Sequence, residues 1–276
     1  MRFPDWLVYA LFLGVILYVL LPSRTDSMAP EAPPVVTDAQ GARALPPPSA
    51  FDERVLVQSD TPADGTGTAF SVSEAGAWLT ARHVVDGCSR LALEVAPGTY
   101  VPVDPENVVL SPESDMAVLL TGRSPDGLPM VATEELSVGT QGFHVGFPQG
   151  QPGEVTSTLL SNSRLITRGV RRSEEQVLAW AEKGRTRGLV GSLAGLSGAP
   201  VFDALGRVVG VTVAESPRRG RIYTTSPDTL AAFLSEAGVE AKGTARPSRF
   251  TIEDYGREAD RVRRALNVVK VVCKVG

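Results

Sequence analysis

Histidine and cysteine are nearly missing from this chain, with two of each in 276 residues. A cysteine/histidine zinc site needs several clustered ligands, and a disulfide framework needs at least two pairs of cysteines, so neither can be built here. Cys88 and Cys273 leave two readings open: one bridge in an oxidising compartment, or two buried free thiols. Basic residues are not in excess either, since 27 Lys and Arg face 31 Asp and Glu for a net charge of -4. The arginines are dispersed apart from the pairs Arg171-Arg172, Arg218-Arg219 and Arg263-Arg264. A nucleic-acid partner, which requires a concentrated basic footprint, is therefore not expected. No internal repeat is present, and nothing in the chain asks for a cofactor or a metal ion.

Long apolar runs are also absent, with one exception. Residues 6–21 (WLVYALFLGVILYVLL) carry no charge. The run is at the short end of the roughly 17–25 residues that span a bilayer and longer than the roughly 7–15 of a signal-peptide core. Residues 1–22 are therefore an N-terminal transmembrane anchor or signal sequence, and the uncleaved anchor fits better because Pro30 sits badly for cleavage around residues 27–32. Arg2 and Arg24 balance across the run, so charge says little about orientation. A short N-terminal anchor normally exports the chain behind it, and a periplasmic or otherwise extracytoplasmic folded part is expected. Residues 23–50 are rich in Pro and Ala and poor in large apolar side chains, the composition of an extended tether.

From residue 51 to 239 the chain changes character. About a dozen short runs of Val, Leu, Thr and Phe, such as 68–72, 78–80, 116–120, 143–147 and 208–213, recur between Gly, Pro, Asp and Ser, which predicts an all-β barrel or sandwich pair. Helical signals are few. Residues 173–183 (SEEQVLAWAEK) open on a good cap with acidic residues behind it and predict a surface helix. Residues 227–237 predict a closing helix behind Ser226. Residues 240–276 form an extension with a charged helical stretch at 252–265 and an apolar alternation at 268–275 that predicts one more strand.

Three stretches carry chemistry. Trp78-Leu79-Thr80-Ala81-Arg82-His83-Val84-Val85 supplies a base, Ser114-Asp115-Met116-Ala117-Val118-Leu119 a carboxylate, and Gly195-Leu196-Ser197-Gly198-Ala199-Pro200-Val201-Phe202 a hydroxyl on a tight turn. A serine hydroxyl is a poor nucleophile at neutral pH, so acyl transfer needs a base to take its proton and a third group to hold that base in the useful tautomer. His83, Asp115 and Ser197 fit those roles. Asp115 opens an apolar run that can shield it, whereas Asp86, Asp104, Glu106 and Glu113 occupy polar turns and loops. His144 lies in a plain strand pattern and reads as structural. The backbone N–H groups of Gly195 and Ser197 are placed to form an oxyanion hole, and Gly198 leaves room beside the nucleophile for a polypeptide. The chain order His, Asp, Ser excludes the α/β-hydrolase and subtilisin arrangements and is that of the chymotrypsin-like double β-barrel.

Together with Gly65-Thr66-Gly67-Thr68-Ala69-Phe70 and Gly146-Phe147-Pro148-Gln149-Gly150, these motifs resemble the trypsin-like serine proteases, and among them the bacterial HtrA/Deg-type members, over residues 65–238. The resemblance implies a two-barrel endopeptidase acting on polypeptides through a His83, Asp115, Ser197 triad. It also implies that Gly191, Ser192, Ile222, Tyr223, Thr224 and Thr225 lie at the pocket for the residue preceding the cut. The stretches taken to line that pocket hold no acid, so a small or medium apolar preference is expected. There are two departures from the family pattern. The stretch after Glu240 is too short for a PDZ domain, and Gly-Leu-Ser-Gly stands where Gly-Asn-Ser-Gly is usual. The alternative is a protease-fold binding or scaffold protein that keeps the triad residues without activity.

Overall fold

In the computed structural model, which describes residues 43–59, 61–131, 136–246 and 249–276, the short apolar runs become strands of two barrels. In chain order the elements begin with β1 (Arg43–Ala44), β2 (Glu53–Ser59), β3 (Gly65–Ser73), β4 (Ala77–Ala81) and α1 (Arg82–Val85). Next come β5 (Arg90–Ala96), β6 (Thr99–Val103), β7 (Val108–Leu110), β8 (Met116–Leu120), β9 (Ser137–Val138) and β10 (Gln141–Gly146). The remainder are β11 (Gly153–Gly169), β12 (Ser173–Arg185), β13 (Pro200–Phe202), β14 (Val208–Ser216), β15 (Arg221–Thr225), α2 (Pro227–Glu236), α3 (Tyr255–Arg264) and β16 (Val268–Lys274). The first barrel has the antiparallel order β6-β5-β16-β3-β4-β8-β7. The second runs β10-β13-β14-β15-β12-β11 and closes through β10 on β11, with β2 added in parallel along the far end of β11.

One expected element is corrected. Residues 173–183 are not a helix but the body of β12, paired with β11 on one side and β15 on the other. The cap-like SEE start is overridden because residues 177–181 are buried on successive positions, which suits a strand covered on both faces. Trp180 completes the fit, its indole N–H donating to Thr224 Oγ1 at 2.9 Å inside the barrel. In residues 240–276 the expected helix forms as α3 and the expected strand as β16, and the structure adds that β16 is inserted between β3 and β5 as a central stave of the first barrel. Without β16 the sheet would be cut in the middle, leaving β3 and β5 each with an unpaired edge, so both need the partner that β16 supplies.

The tail also straps the barrels together. Arg263 of α3 pairs with Asp260 at 2.5 Å and with the fully buried Glu154 of the second barrel. Cys273 of β16 is disulfide-bonded to Cys88, five residues beyond His83, with the two Cα atoms 5.5 Å apart. The expected helix over 227–237 forms as α2, and Ser226 Oγ accepts the Thr229 N–H at its start. The apolar run 6–21 and most of the proposed tether lie outside the described residues, and no described helix is long and apolar enough to cross a membrane.

Candidate active site

Where β4 ends the chain turns directly into α1, a single helical turn that buries Val84 and Val85 and leaves His83 open to solvent. Arg82 N–H donates to the Asp115 carbonyl at 3.1 Å and His83 N–H to Asp115 Oδ1 at 3.0 Å. The same carboxylate brings Oδ2 to 2.5 Å from His83 Nδ1. Asp115 leaves a tight serine turn in which the Ser114 N–H and hydroxyl both reach Ser111 Oγ, at 3.1 and 2.8 Å. Burial opposes the charged form of both partners. For Asp115 the adjacent imidazole and its hydrogen bonds outweigh burial and hold the carboxyl below its usual range. For His83 burial is the largest single influence and acts downward, but the charge of Asp115 and its hydrogen bond to the ring together outweigh it and carry the net shift upward. An aspartate in this position fixes the tautomer with Nε2 as the free base.

Ser197 sits half-buried on a loop of the second barrel shaped by two glycines at positive φ, Gly195 at 95° and Gly198 at 86°. A Cβ on Gly195 would stand 2.4 Å from the Phe147 carbonyl oxygen, and one on Gly198 would stand 2.0 Å from the Thr68 carbonyl oxygen. The space that Gly198 leaves is thus filled by the first barrel's backbone, which corrects the expectation that it serves the substrate. Thr68 binds the loop twice, donating its N–H to Ser197 O and its hydroxyl to Gly195 O, each at 2.8 Å. Among the described residues the N–H groups of Gly195 and Ser197 have no hydrogen-bond acceptor, so both donors remain available.

The structure brings His83 and Asp115 into direct contact and packs the Ser197 loop against the strand and helical turn that carry His83. A Cβ built on Gly67 would lie 2.4 Å from Val84 Cγ1 of α1 and 3.1 Å from Ser197 O, so the histidine helix and the serine loop pack against the same glycine. Among the described residues no hydrogen bond joins Ser197 to His83. Nucleophile and base contacts are often loose before substrate arrives and tighten in the Michaelis complex. His144 is elsewhere, fully buried between Thr212 Oγ1 at 3.0 Å and Ser157 Oγ at 2.9 Å, where burial pushes its pKa down to about 3 and keeps it neutral.

Beside Ser197 is a small cavity of about 30 Å³, lined by Leu193, Ala194, Leu196, Thr212, Ala214, Glu215 and Ile222. Of the six residues expected at the pocket only Ile222 lines it, joined by Leu193 and Ala194 from the expected stretch 191–194. Tyr223, Thr224 and Thr225 are buried in the second barrel, where Thr225 Oγ1 accepts the Val211 N–H. They come after Ile222 along β15 and alternate between its two faces: Thr224 meets Trp180 inside the second barrel, whereas Tyr223 packs with Leu165, Val177, Ala179 and Val213 on the other side. Gly191 is exposed outside the cavity, and Ser192 acts from its rim by donating its hydroxyl to Glu215 Oε1 at 2.5 Å. Glu215 was missed by sequence reasoning, and it places an acid where none was expected. Both its oxygens accept the Leu193 N–H, at 2.9 and 3.0 Å, so the carboxylate spans the pocket wall.

Two further residues escaped the sequence. Gln149 adopts φ 54°, unusual for a residue with a side chain, and its amide donates to the carbonyls of Val190 at 2.7 Å and Ser192 at 2.8 Å. With its N–H on Ala194 O at 2.5 Å, it braces the loop leading to Gly195. Glu175, on the strand misread as a helix, directs both carboxylate oxygens at the Asp115 N–H, each at 3.1 Å. Only the Gly-Phe-Pro-Gln-Gly motif gave a local signal, and it marked the segment without revealing what Gln149 holds.

Comparison with known proteins agrees with this geometry. The family model described as "Trypsin-like peptidase domain" matches residues 67–211, a span containing His83, Asp115 and Ser197. The chain is 27% identical over 170 residues to Protease Do-like 5, chloroplastic, of Arabidopsis thaliana, covering 57% of this chain and 50% of that protein. It is 28% identical over 170 residues to the Putative serine protease HhoB of Synechocystis, covering 59% of this chain and 38% of that protein. The chain thus spans half or less of the length of these curated relatives. Among solved structures, the active form of the Rv3671c protease from M. tuberculosis superposes with a TM-score of 0.52 at 18% identity, over 74% of this chain and 96% of the other. That likeness shows the shared fold.

Proposed function

Because this chain belongs to the trypsin-like peptidase domain family, we propose that it is a serine endopeptidase that cuts polypeptides through an acyl-enzyme formed on Ser197. His83, oriented by Asp115, takes the Ser197 proton and returns it to the leaving amine. The N–H groups of Gly195 and Ser197 receive the oxyanion, an interaction worth roughly 3–4 kcal/mol per donor in the transition state. The observation that carries this reading is the contact of Asp115 with both the ring and the backbone N–H of His83, beside a serine loop whose two N–H groups are uncommitted.

A fluorophosphonate probe tests it. Labelling is expected on Ser197 and nowhere else, at a rate that rises with pH as His83 loses its proton. Because the His83 pKa is raised, that inflection is expected above the 6.5 of an unperturbed imidazole. No labelling at any pH would instead assign the fold to binding or scaffolding.

Specificity is set by the pocket. A cavity of about 30 Å³ walled by Glu215 admits a small side chain such as alanine or serine before the cut. The Glu215 oxygens are occupied by Leu193 N–H and Ser192 Oγ, which leaves little to recognise a lysine or arginine. Glu215→Gly should open the wall and raise the Leu-over-Ala ratio of kcat/KM by at least about 10–200-fold, the range for a single methylene group in a pocket. Glu215→Gln keeps an acceptor and should keep the preference. A wild-type peptide-library profile dominated by Phe, Leu or Lys would contradict this assignment.

The same proposal places the enzyme outside the cytoplasm, held at a membrane by residues 6–21. Two observations support it: the uncharged apolar run and the Cys88–Cys273 disulfide, a bond that persists in oxidising compartments.

A further inference from the structure

We propose that the β11–β12 hairpin is a clamp that positions the catalytic aspartate from the opposite barrel, with Glu175 and Arg171 gripping the two ends of one peptide group. That group is the peptide bond between Ser114 and Asp115. Its N–H donates to Glu175 Oε1 and Oε2, both at 3.1 Å, and its C=O accepts from Arg171 Nη2 at 3.1 Å. Arg171 Nη1 lies a further 3.7 Å from Asp115 Oδ1. A carboxylate acceptor on the N–H and a guanidinium donor on the carbonyl leave the peptide plane no freedom to rotate. Rotation of that plane would swing Oδ2 away from His83 Nδ1.

The hairpin reaches this far because β11 runs for 17 residues and β12 for 13, well past the barrel they close. Ser197 belongs to the second barrel, while His83 and Asp115 belong to the first. The clamp therefore sets the register between the barrel that carries the nucleophile and the peptide that carries the acid. Glu175 is only 7% exposed and stands next to another buried carboxylate, a costly arrangement that packing alone would not call for. Burial, together with the Asp115 charge, pushes its pKa up to about 8. The groups facing it are Asp115 ahead of β8, Arg171 at the hairpin tip and His83 on α1.

The inference rests on the proposed role of Asp115, and the test uses the full chain with a peptide substrate. Glu175→Ala and Arg171→Ala are each expected to lower kcat by about 10–100-fold with KM within about twofold, because displacing a catalytic group slightly slows chemistry more than it weakens binding. Glu175→Gln retains an acceptor for the Asp115 N–H and should keep most of kcat at neutral pH. It should also erase the inflection near pH 8 that is expected in the wild-type kcat profile when Glu175 ionises beside the dyad. Unchanged kcat in both alanine variants, or an inflection that survives in Glu175→Gln, would overturn the clamp. If an alanine variant fails to fold, the glutamine profile decides. Failure of the protease reading itself is distinguishable, because the wild type would then be inactive at every pH.

Discussion

Ser197→Ala is expected to lower kcat/KM by at least about 10⁴-fold, the scale seen when a nucleophile of this type is removed, while the thermal midpoint moves by no more than about 2 °C. The first half rests on the proposed chemistry, in which Ser197 is the nucleophile on a loop whose Gly195 and Ser197 N–H groups have no acceptor among the described residues. The second half rests on packing. Among the described residues the Ser197 side chain has no hydrogen bond, and the loop is held by its backbone through Thr68 and Thr212. Removing one oxygen therefore leaves the loop's supports in place. His83→Ala should be nearly as severe, and the double variant little worse than either alone, because base and nucleophile act as a unit. Asp115→Asn should cost about 10⁴-fold by favouring the wrong imidazole tautomer. Steady-state kinetics paired with thermal melts check all four variants. A melting loss of ten degrees in Ser197→Ala would make the residue structural, and retained turnover would put the nucleophile elsewhere.

Ending the chain after Val239, where composition suggests the folded part stops, is expected to abolish folding of the first barrel. The deletion removes β16, whose Val268, Val269 and Val271 are almost wholly buried and whose backbone pairs with β3 on one side and β5 on the other. Full burial of a valine contributes about 1.5–3 kcal/mol. Three of them, with two strand interfaces, are comparable to the roughly 5–15 kcal/mol that holds a typical domain together. A milder variant isolates the covalent link. Replacing Cys88 and Cys273 by serine removes a cross-link spanning 185 residues, and loss of a native disulfide costs about 2–5 kcal/mol. The midpoint should then fall by about 5–15 °C. Because Cys88 comes just after the turn carrying His83, activity should decline at temperatures below the global melt. Circular dichroism and activity against temperature are the measurements. A cooperative, native-like melt of the 1–239 chain would refute the structural role given to β16.

Much of the site was readable because its signals are local. Only two histidines exist, and only His83 comes after a short apolar run that ends in Thr-Ala; only Asp115 opens a run that can hide it. The glycines around Ser197 declare a backbone that side chains forbid, and the structure places both at positive φ. Glu175, Glu215 and Gln149 carried no such mark. Each is an ordinary polar residue in its own neighbourhood, and each acts on a segment far away in sequence: Asp115, the Leu193 N–H, and the carbonyls of Val190 and Ser192. The misreading of β12 has the same root. Its SEE start satisfies a helix cap locally, and only β11 and β15 on either side make it a strand.

From its amino acids alone, this protein is committed to a mostly β fold, to the order His83, Asp115, Ser197, and to a serine turn flanked by glycines, since period, residue rarity and backbone freedom are properties of neighbouring residues. Tertiary structure alone decided that β16 is inserted between β3 and β5, that Glu215 walls the cavity next to Ser197, and that a hairpin of one barrel holds the Ser114–Asp115 peptide of the other. Those outcomes depend on which distant edges and unpaired backbone groups meet, and such meetings are selected by the burial and hydrogen bonding of the whole fold.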